Sequence, residues 1–393
     1  MSLQKGIEII ETISGPIPIN EVASAIIAVV GTADMGDLDA IKIVRTADEA
    51  EALYGTNGTL GEAFDAIYDH VQTLTVVAIR VAEDGTESTQ IANVVAGLKR
   101  IEDAYGEYGL FPKIIIAPGF SHKIGVGAEM IAIGNKIGAV SVIDAPETAT
   151  PEQAVTFKGA FSDYRAIVTY PRVKTLNNAG QVVATWLSAR YAALMAQVDK
   201  NQTGEPHHTG YWCSPSNYVL KGVVGVERSI QYNPRDNDNA LNYLAGQGIV
   251  SVLNDGSGFR AWGNRSTAFP SKSDSLTFIP WRRTMDIIEE SIQFFTRQFL
   301  DKPMFTRPND LATSMIGQIE LSVNDFLRSK VGTALVYGKC ELRIEDNPLI
   351  NLANGKVKYH IQATPPVPIE HVTYEAEVYV PGLEIALNQL LGG

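Results

Sequence analysis

Cysteine is nearly missing. Among 393 residues only Cys213 and Cys340 occur, too few for a disulfide framework. No apolar run approaches the ~20 residues that a membrane-crossing helix needs, and the longest, around Ala25–Val30, is strand-sized. The opening residues Met1-Ser2-Leu3-Gln4-Lys5 lack the basic-then-apolar layout of a secretion signal. The Asn-x-Ser/Thr triplets at Asn57, Asn201 and Asn264 therefore carry no weight, and the expected compartment is a reducing cytoplasm. Charge is scarce as well: 19% of residues are charged, against about 25% in an ordinary soluble domain. A chain this short of charge can hide surface against other chains. A basic excess is also missing, since 32 Lys+Arg face 44 Asp+Glu for a net −12, which disfavours a phosphate backbone as partner.

What charge there is lies unevenly. Residues 1–150 hold 9 basic and 21 acidic side chains (−12), residues 151–271 hold 11 and 8 (+3), and residues 272–393 hold 12 and 15 (−3). Such segregation favours head-to-tail contact between copies, although a solvated acidic face has the same composition.

At roughly 150 residues per domain the length allows two or three domains. From Ala25 to about Tyr170, apolar strand-like runs (Ala25–Val30, Leu74–Val81, Lys113–Ala117, Val140–Ile143, Ala166–Thr169) alternate with helix-like stretches (Ala47–Leu53, Leu60–Val71, Ile91–Tyr105, Glu129–Ile137, Pro151–Phe161). Continuous apolar strands joined by crossover helices predict an α/β domain with a parallel sheet covered on both faces. A helix is expected over Val182–Val198, then a Gly/Asn/Asp/Ser-rich region from about Asn201 to Ser275. The last third predicts a small α+β unit. Trp281, Met285, Ile288, Ile292, Phe295 and Phe299 fall at helical spacing, with Arg282, Glu289, Gln293 and Arg297 off the stripe. A second helix with Leu311, Met315, Ile319, Val323 and Phe326 on one face is expected to start at a cap near Asn309, after Pro308. Two alternating strands follow, one presenting Val336, Cys340, Leu342 and Ile344, the other Val357, Tyr359, Ile361 and Ala363.

The two ends share a design. Thr364-Pro365-Pro366-Val367-Pro368 is a stiff spacer, followed by a strand in which Val372, Tyr374, Ala376, Val378 and Val380 alternate with Thr373, Glu375 and Glu377. At the other end the strand Gly6–Ile13, with Ile7, Ile9, Ile10 and Ile13, precedes the spacer Ser14-Gly15-Pro16-Ile17-Pro18. An isolated strand leaves its backbone groups unpaired and has to find a sheet edge, either on its own chain or on another copy.

Catalytic readings find little. Gly31-Thr32-Ala33-Asp34-Met35-Gly36 follows a strand but lacks a Gly-Lys-Ser/Thr ending, and Gly125-Val126-Gly127 has Met130 where a dinucleotide loop wants glycine. Both are read as tight turns. His207, His208 and Cys213 have no second Cys/His pair at zinc spacing. Ser121-His122 lacks a Gly-x-Ser-x-Gly elbow, and Cys340 sits on an apolar strand face as an inert thiol. In Gly258-Phe259-Arg260-Ala261-Trp262-Gly263-Asn264-Arg265-Ser266 the arginines are expected to pair carboxylates while Phe259 and Trp262 pack a turn. No catalytic residue, cofactor or metal is assigned.

That segment also carries a resemblance, together with Gly6-Ile7-Glu8-Ile9-Ile10-Glu11, Ser24–Thr32, Ser214-Pro215-Ser216-Asn217, Gly222-Val223-Val224-Gly225-Val226, Asp301-Lys302-Pro303, Ala363–Pro368 and Ile369-Glu370-His371-Val372-Thr373. In order and spacing the chain resembles contractile-tail sheath proteins, of the compact kind in P2-like bacteriophages and R-type bacteriocins. The resemblance implies a subtilisin-like topology for the central domain without its chemistry, since no His-Gly-Thr-His or Gly-Thr-Ser motif is present. It divides the chain into an N-terminal linker arm (1–20), an N-terminal α/β region (21–100), a non-catalytic central domain (101–275), a tube-facing C-terminal α+β domain (276–364) and a C-terminal linker arm (365–393). It implies self-assembly as a six-fold helical sheath and partnership with an inner tube, a baseplate and a tail terminator, with neither direct nucleic-acid binding nor membrane insertion. The place implied is a virion tail or extracellular contractile particle assembled in the bacterial cytoplasm. It makes the arms intersubunit strands, and makes Arg328 and Lys330, at a helix end, candidates for tube contact. The competing readings are a cytoplasmic α/β nucleotide-dependent enzyme and a serine hydrolase.

Overall fold

The computed structural model describes residues 16–392 other than 178, 203–208 and 306–313. The chain runs β1 (Ile26–Gly31), β2 (Ile41–Val44), α1 (Ala47–Tyr54), α2 (Gly58–His70), β3 (Thr75–Arg80), α3 (Glu87–Arg100), α4 (Ala104–Tyr108), β4 (Ile114–Ile116), α5 (Ile124–Ile137), β5 (Val140–Asp144), α6 (Pro151–Lys158) and β6 (Ala166–Thr169). It continues through β7 (Val173–Leu176), β8 (Val182–Thr185), α7 (Leu187–Asp199), β9 (Val223–Val226), α8 (Ala240–Gly246), β10 (Ile249–Asn254) and β11 (Phe259–Trp262). The last third holds α9 (Ile279–Thr296), α10 (Met315–Lys330), β12 (Tyr337–Glu341), α11 (Leu349–Ala353), β13 (His360–Thr364) and α12 (Gly382–Leu390).

The apolar runs become the core of an eight-stranded sheet, order β11-β10-β6-β5-β4-β1-β3-β2, parallel except for the antiparallel edge strands β11 and β2. β1 is buried along its whole length, and its side chains alternate between two cores as strand geometry requires. Ile27 and Val29 join one face, packed by Leu60, Phe64 and Ile67 of α2 and by Tyr191 and Leu194 of α7. Ile26, Ala28 and Val30 join the other, packed by Leu98 of α3 and by Met130 and Ile133 of α5. The turn after β1 is built for close packing. A Cβ on Gly31 would meet the Thr59 hydroxyl at 2.4 Å, and that hydroxyl takes the Thr32 N–H (3.0 Å), filling the place where a phosphate loop would hold its anion.

Three expectations need correction. Val182–Thr185 is a strand: it pairs with β7 in a small β8-β7-β9 sheet, and the helix begins only at Leu187. The cause is a turn in which Asn177 Oδ1 accepts the N–H groups of Ala179 and Gln181, with Gly180 at φ 73°, so Val182 and Val183 start a return strand. The Gly/Asn-rich region is structured as well, since its run Ile249–Asn254 extends the main sheet beside β6 and Phe259–Trp262 is an edge strand rather than a turn. Gly125 and Gly127 lie inside α5, where a Cβ on Gly127 would press the Phe161 ring at 2.8 Å.

The C-terminal unit packs α9 and α10 on a two-stranded β12–β13 sheet around Ile288, Ile319, Val323, Phe326, Leu327 and Cys340. Helix α10 starts at Met315, where the Ser314 hydroxyl accepts the Gly317 N–H (3.1 Å). That excludes Asn309 as its cap; Pro308, Asn309 and Leu311 lie outside the described residues. β12 stops at Glu341, leaving Val336 and Ile344 exposed, and β13 starts only at His360. Helix α9 buries its polar side too. Arg283 pairs with Asp199, Arg165 and Arg282 with Asp286, and Lys113 with Glu290, which ties the helix across the main domain.

Candidate assembly surface

The catalytic candidates come together only in part. Asp144, at the end of β5, is buried and accepts hydrogen bonds from Ser188 N (2.8 Å), Ser188 Oγ (2.5 Å), Thr169 Oγ1 (3.1 Å) and Ser121 Oγ (3.1 Å). Burial pushes its carboxyl above the ordinary range, against those bonds. His122 instead stacks on Trp186, ring centroids 4.9 Å apart, and burial pushes it down to about 4. Its Nδ1 has no partner among the described residues, so no carboxylate orients the ring and no serine hydroxyl is bonded to it. The carboxylate binds the serines directly and the histidine stands apart, so this cluster ties the strand ends to α7 and is not an acid–base–nucleophile relay. His207 and His208 lie outside the described residues, and among those described no three ligand side chains gather. Burial raises the thiols of Cys213 and Cys340, to about 11 and about 12, far from a nucleophile's range.

The C-terminal arm presents a different chemistry. Residues 371–380 are exposed and form no strand with the described residues. Tyr374 is 89% and Val378 88% exposed, and Val372 and Val380 are also exposed. Helix α12 beyond them buries no residue. Sequence reasoning missed this helix, although Leu383, Ala386, Leu387 and Leu390 have helical spacing. So much contiguous apolar surface is foreign to an isolated soluble chain.

The root of the arm is fixed. Pro365 is buried, and the Pro366 carbonyl accepts the Trp281 indole N–H (2.8 Å). Arg265 forms a two-pronged pair with Glu370 (2.9 and 2.6 Å), its guanidinium 3.4 Å from the Phe278 ring centroid. The spacer Pro365–Pro368 is therefore an anchor for its first part, and free reach starts after Glu370.

At the other end Pro16 and Pro18 are exposed, yet Ile17 N donates to Ser322 (2.9 Å), Val22 N donates to Ser291 (3.1 Å), and Ile19 packs into the C-terminal core. This spacer too lies on the body. The strand residues Ile7, Ile9, Ile10 and Ile13 lie outside the described residues. Arg328 is exposed beside Asp325 (3.4 Å), whereas Lys330 is paired with Glu21 over the Phe326 ring.

A tail sheath protein of Burkholderia phage BcepMu is 35% identical over 328 residues, spanning 80% of this chain. The chain belongs to the tail sheath proteins. It covers 65% of the length of that BcepMu relative, whereas the tail sheath protein of Escherichia phage P2, 25% identical over 409 residues, is matched over 98% of both chains. No family model matches. The fold is shared with the sheath complex of an extracellular contractile injection system in its contracted state (TM-score 0.70, 17% identity, 97% of this chain and 99% of the other). It is shared equally with a chain of the anti-feeding prophage baseplate (TM-score 0.70, 17% identity, 96% and 99%). These relatives lend no support to a nucleotide-dependent enzyme or a serine hydrolase.

Proposed function

We propose that this chain is the structural, non-enzymatic subunit of a contractile tail sheath. It polymerises with six-fold helical symmetry around an inner tube and contracts to drive the tube through a target envelope. Its other partners are baseplate and tail terminator proteins. Its place is a virion tail or extracellular particle assembled in the bacterial cytoplasm.

The observation that carries this reading is the arm after Glu370, apolar on alternate residues, exposed, and anchored only at its root. Pairing with a neighbouring subunit satisfies its backbone and buries Val372, Tyr374, Ala376, Val378 and Val380, each worth roughly 1.5–3 kcal/mol when fully buried, less for alanine. Ile7, Ile9, Ile10 and Ile13 serve the same role from the other end. Subunits so linked stay connected while the main domains rotate as rigid bodies.

Electron microscopy of the purified chain tests the reading. Striated tubes or helical polysheaths are expected, and monodisperse monomers at high concentration would overturn it.

A further inference from the structure

The β12–β13 sheet has two outer edges, and they differ. On β12, Cys340 donates its N–H to Asn324 Oδ1 (2.9 Å) and its carbonyl accepts from Asn324 Nδ2 (2.8 Å). One side-chain amide of α10 thus supplies the donor and acceptor that a neighbouring strand would bring. Two residues on, Leu342 N donates to Glu320 Oε1 (3.0 Å). Helix α10 also crowds this strand, because a Cβ on Gly338 would meet Leu327 at 2.9 Å.

These bonds fix the pairing on the other strand. Cys340 lies opposite Ile361 in the antiparallel register. With its N–H and C=O committed to Asn324, Cys340 cannot exchange bonds with Ile361, so theirs is a non-hydrogen-bonded pair. The N–H and C=O of Ile361, and of Ala363 two residues on, then point away from β12. Among the described residues nothing meets them. Ile361 is also 38% exposed, on the face that carries Cys340.

The chain's own strand is led elsewhere. Directly after Thr364 the arm is tied to Trp281 and then to Arg265, both outside this sheet. The approach to β13 carries Lys356, Lys358 and His360, and the free strand carries Glu375 and Glu377. Lys358 already pairs with Asp346 (2.6 Å), leaving Lys356 and His360 for the incoming acids.

We propose that the acceptor sheet has a single usable edge: Val372–Val380 of a second copy adds to the outer edge of β13, and Asn324 closes the outer edge of β12. The proposal rests on the strand-exchange reading above and adds to it a polarity, since one sheet then takes its incoming strand from one side. Asn324 excludes the wrong side by occupying it, as edge-protecting devices do elsewhere. The incoming apolar face continues that of Ile361 and Ala363.

The test compares two full-length variants with the parent by sedimentation and electron microscopy. Ile361→Pro removes an outward N–H and leaves the β12 ladder its bonds, as proline on an edge strand does. Tyr374→Pro with Val378→Pro disables the arm itself. Both are expected to stay folded by circular dichroism and to raise the concentration needed for tubes by at least about tenfold.

Tubes at the parent's concentration from the arm variant would overturn strand exchange, and this proposal with it. Loss of tubes in the arm variant alone would overturn only the edge assignment. Should Ile361→Pro unfold, hydrogen exchange on the parent chain decides. On assembly the Ile361 and Ala363 amides are expected to slow at least about tenfold, while Cys340 and Leu342, bonded already, change little. Protection gained at Gly338 with Ile361 still exchanging fast would place the incoming strand on β12 and overturn the proposal.

Discussion

Arg283 grips Asp199 with both arms of its guanidinium, at 2.9 and 2.5 Å, and the two side chains are only 4% and 0% exposed. The pair joins α9 to the end of α7, and so fixes the tail-end unit to the main domain. Its value lies in being complete. Removing one partner of a buried pair leaves the other charge without compensation, at about 3–5 kcal/mol, whereas an apolar replacement of both is often neutral. Asp199→Asn is therefore expected to lower unfolding stability in urea by about 3–5 kcal/mol, and Asp199→Leu with Arg283→Met to recover most of it. A loss under about 1 kcal/mol for the single variant would mean that the pair is solvated in solution.

A second prediction concerns acid. His70 lies at the end of α2, with Nδ1 3.0 Å from the Ala66 carbonyl and Nε2 accepting the Lys221 N–H at 3.1 Å. That pattern suits the neutral ring with its proton on Nδ1. Burial first, then the charges of Arg190 and Lys221, hold its pKa down to about 3 from 6.5. Between those values the unfolded chain binds a proton that the folded chain refuses. Stability is therefore whole above pH 6.5 and falls as the pH drops toward 3, by up to about 1.4 kcal/mol per unit. Urea unfolding is expected to show about 2 kcal/mol lost to this group between pH 6.5 and 5, and His70→Gln to flatten that slope at some cost at pH 7. An unchanged slope in His70→Gln would refute the assignment.

How much of this was readable beforehand depended on range. Ile26–Gly31, Thr75–Arg80 and Ala166–Thr169 announce themselves because full burial makes a strand apolar throughout. Ile249–Asn254 is equally apolar, but the glycines and asparagines around it disguised a strand of the main sheet. Val182 and Val183 share a helical period with Leu187, and only the Asn177 turn assigns them to a hairpin. On α9 the apolar stripe is local and visible. Its buried polar side was not, because Asp199, Arg165 and Lys113 lie 84, 121 and 177 positions from their partners. Asn324 escaped for the same reason: an amide standing in for a strand has no signature in one dimension.

The anchor of the arm gives a third prediction. Arg265 lies between the Phe269 and Phe278 rings, 4.7 and 3.4 Å from their centroids, and holds Glu370 with two bonds. Lysine cannot reproduce both the stacking and the fork. Arg265→Lys and Glu370→Gln are expected to cost the unassembled chain no more than about 1–2 kcal/mol, since Glu370 is on the surface, yet both should raise the concentration at which tubes form. A loosened root lets the strand sample more directions, so more entropy is lost on docking. Sedimentation across protein concentrations checks this, and assembly curves identical to the parent's would show that the root need not be held.

The last prediction concerns the inner tube. Arg328 and Lys330 were paired as candidates because both lie in the last turn of α10, where cations are favoured by the helix dipole. Their surroundings separate them. Lys330 is bound to Glu21, which also accepts the Tyr211 hydroxyl (2.9 Å), so reversing Lys330 sets two like charges face to face and disturbs the N-terminal segment. Arg328 has a 72% exposed side chain and only the solvated Asp325 beside it, a pair worth about 1 kcal/mol at most. Arg328→Glu alone is thus the clean probe: stability and sheath self-assembly are expected to hold, while co-sedimentation with the inner tube weakens, more so at low salt where the lost attraction is least screened. Unchanged binding to the tube at low salt would remove Arg328 from the contact, and failure of the sheath itself to form would assign the residue to a contact between subunits instead.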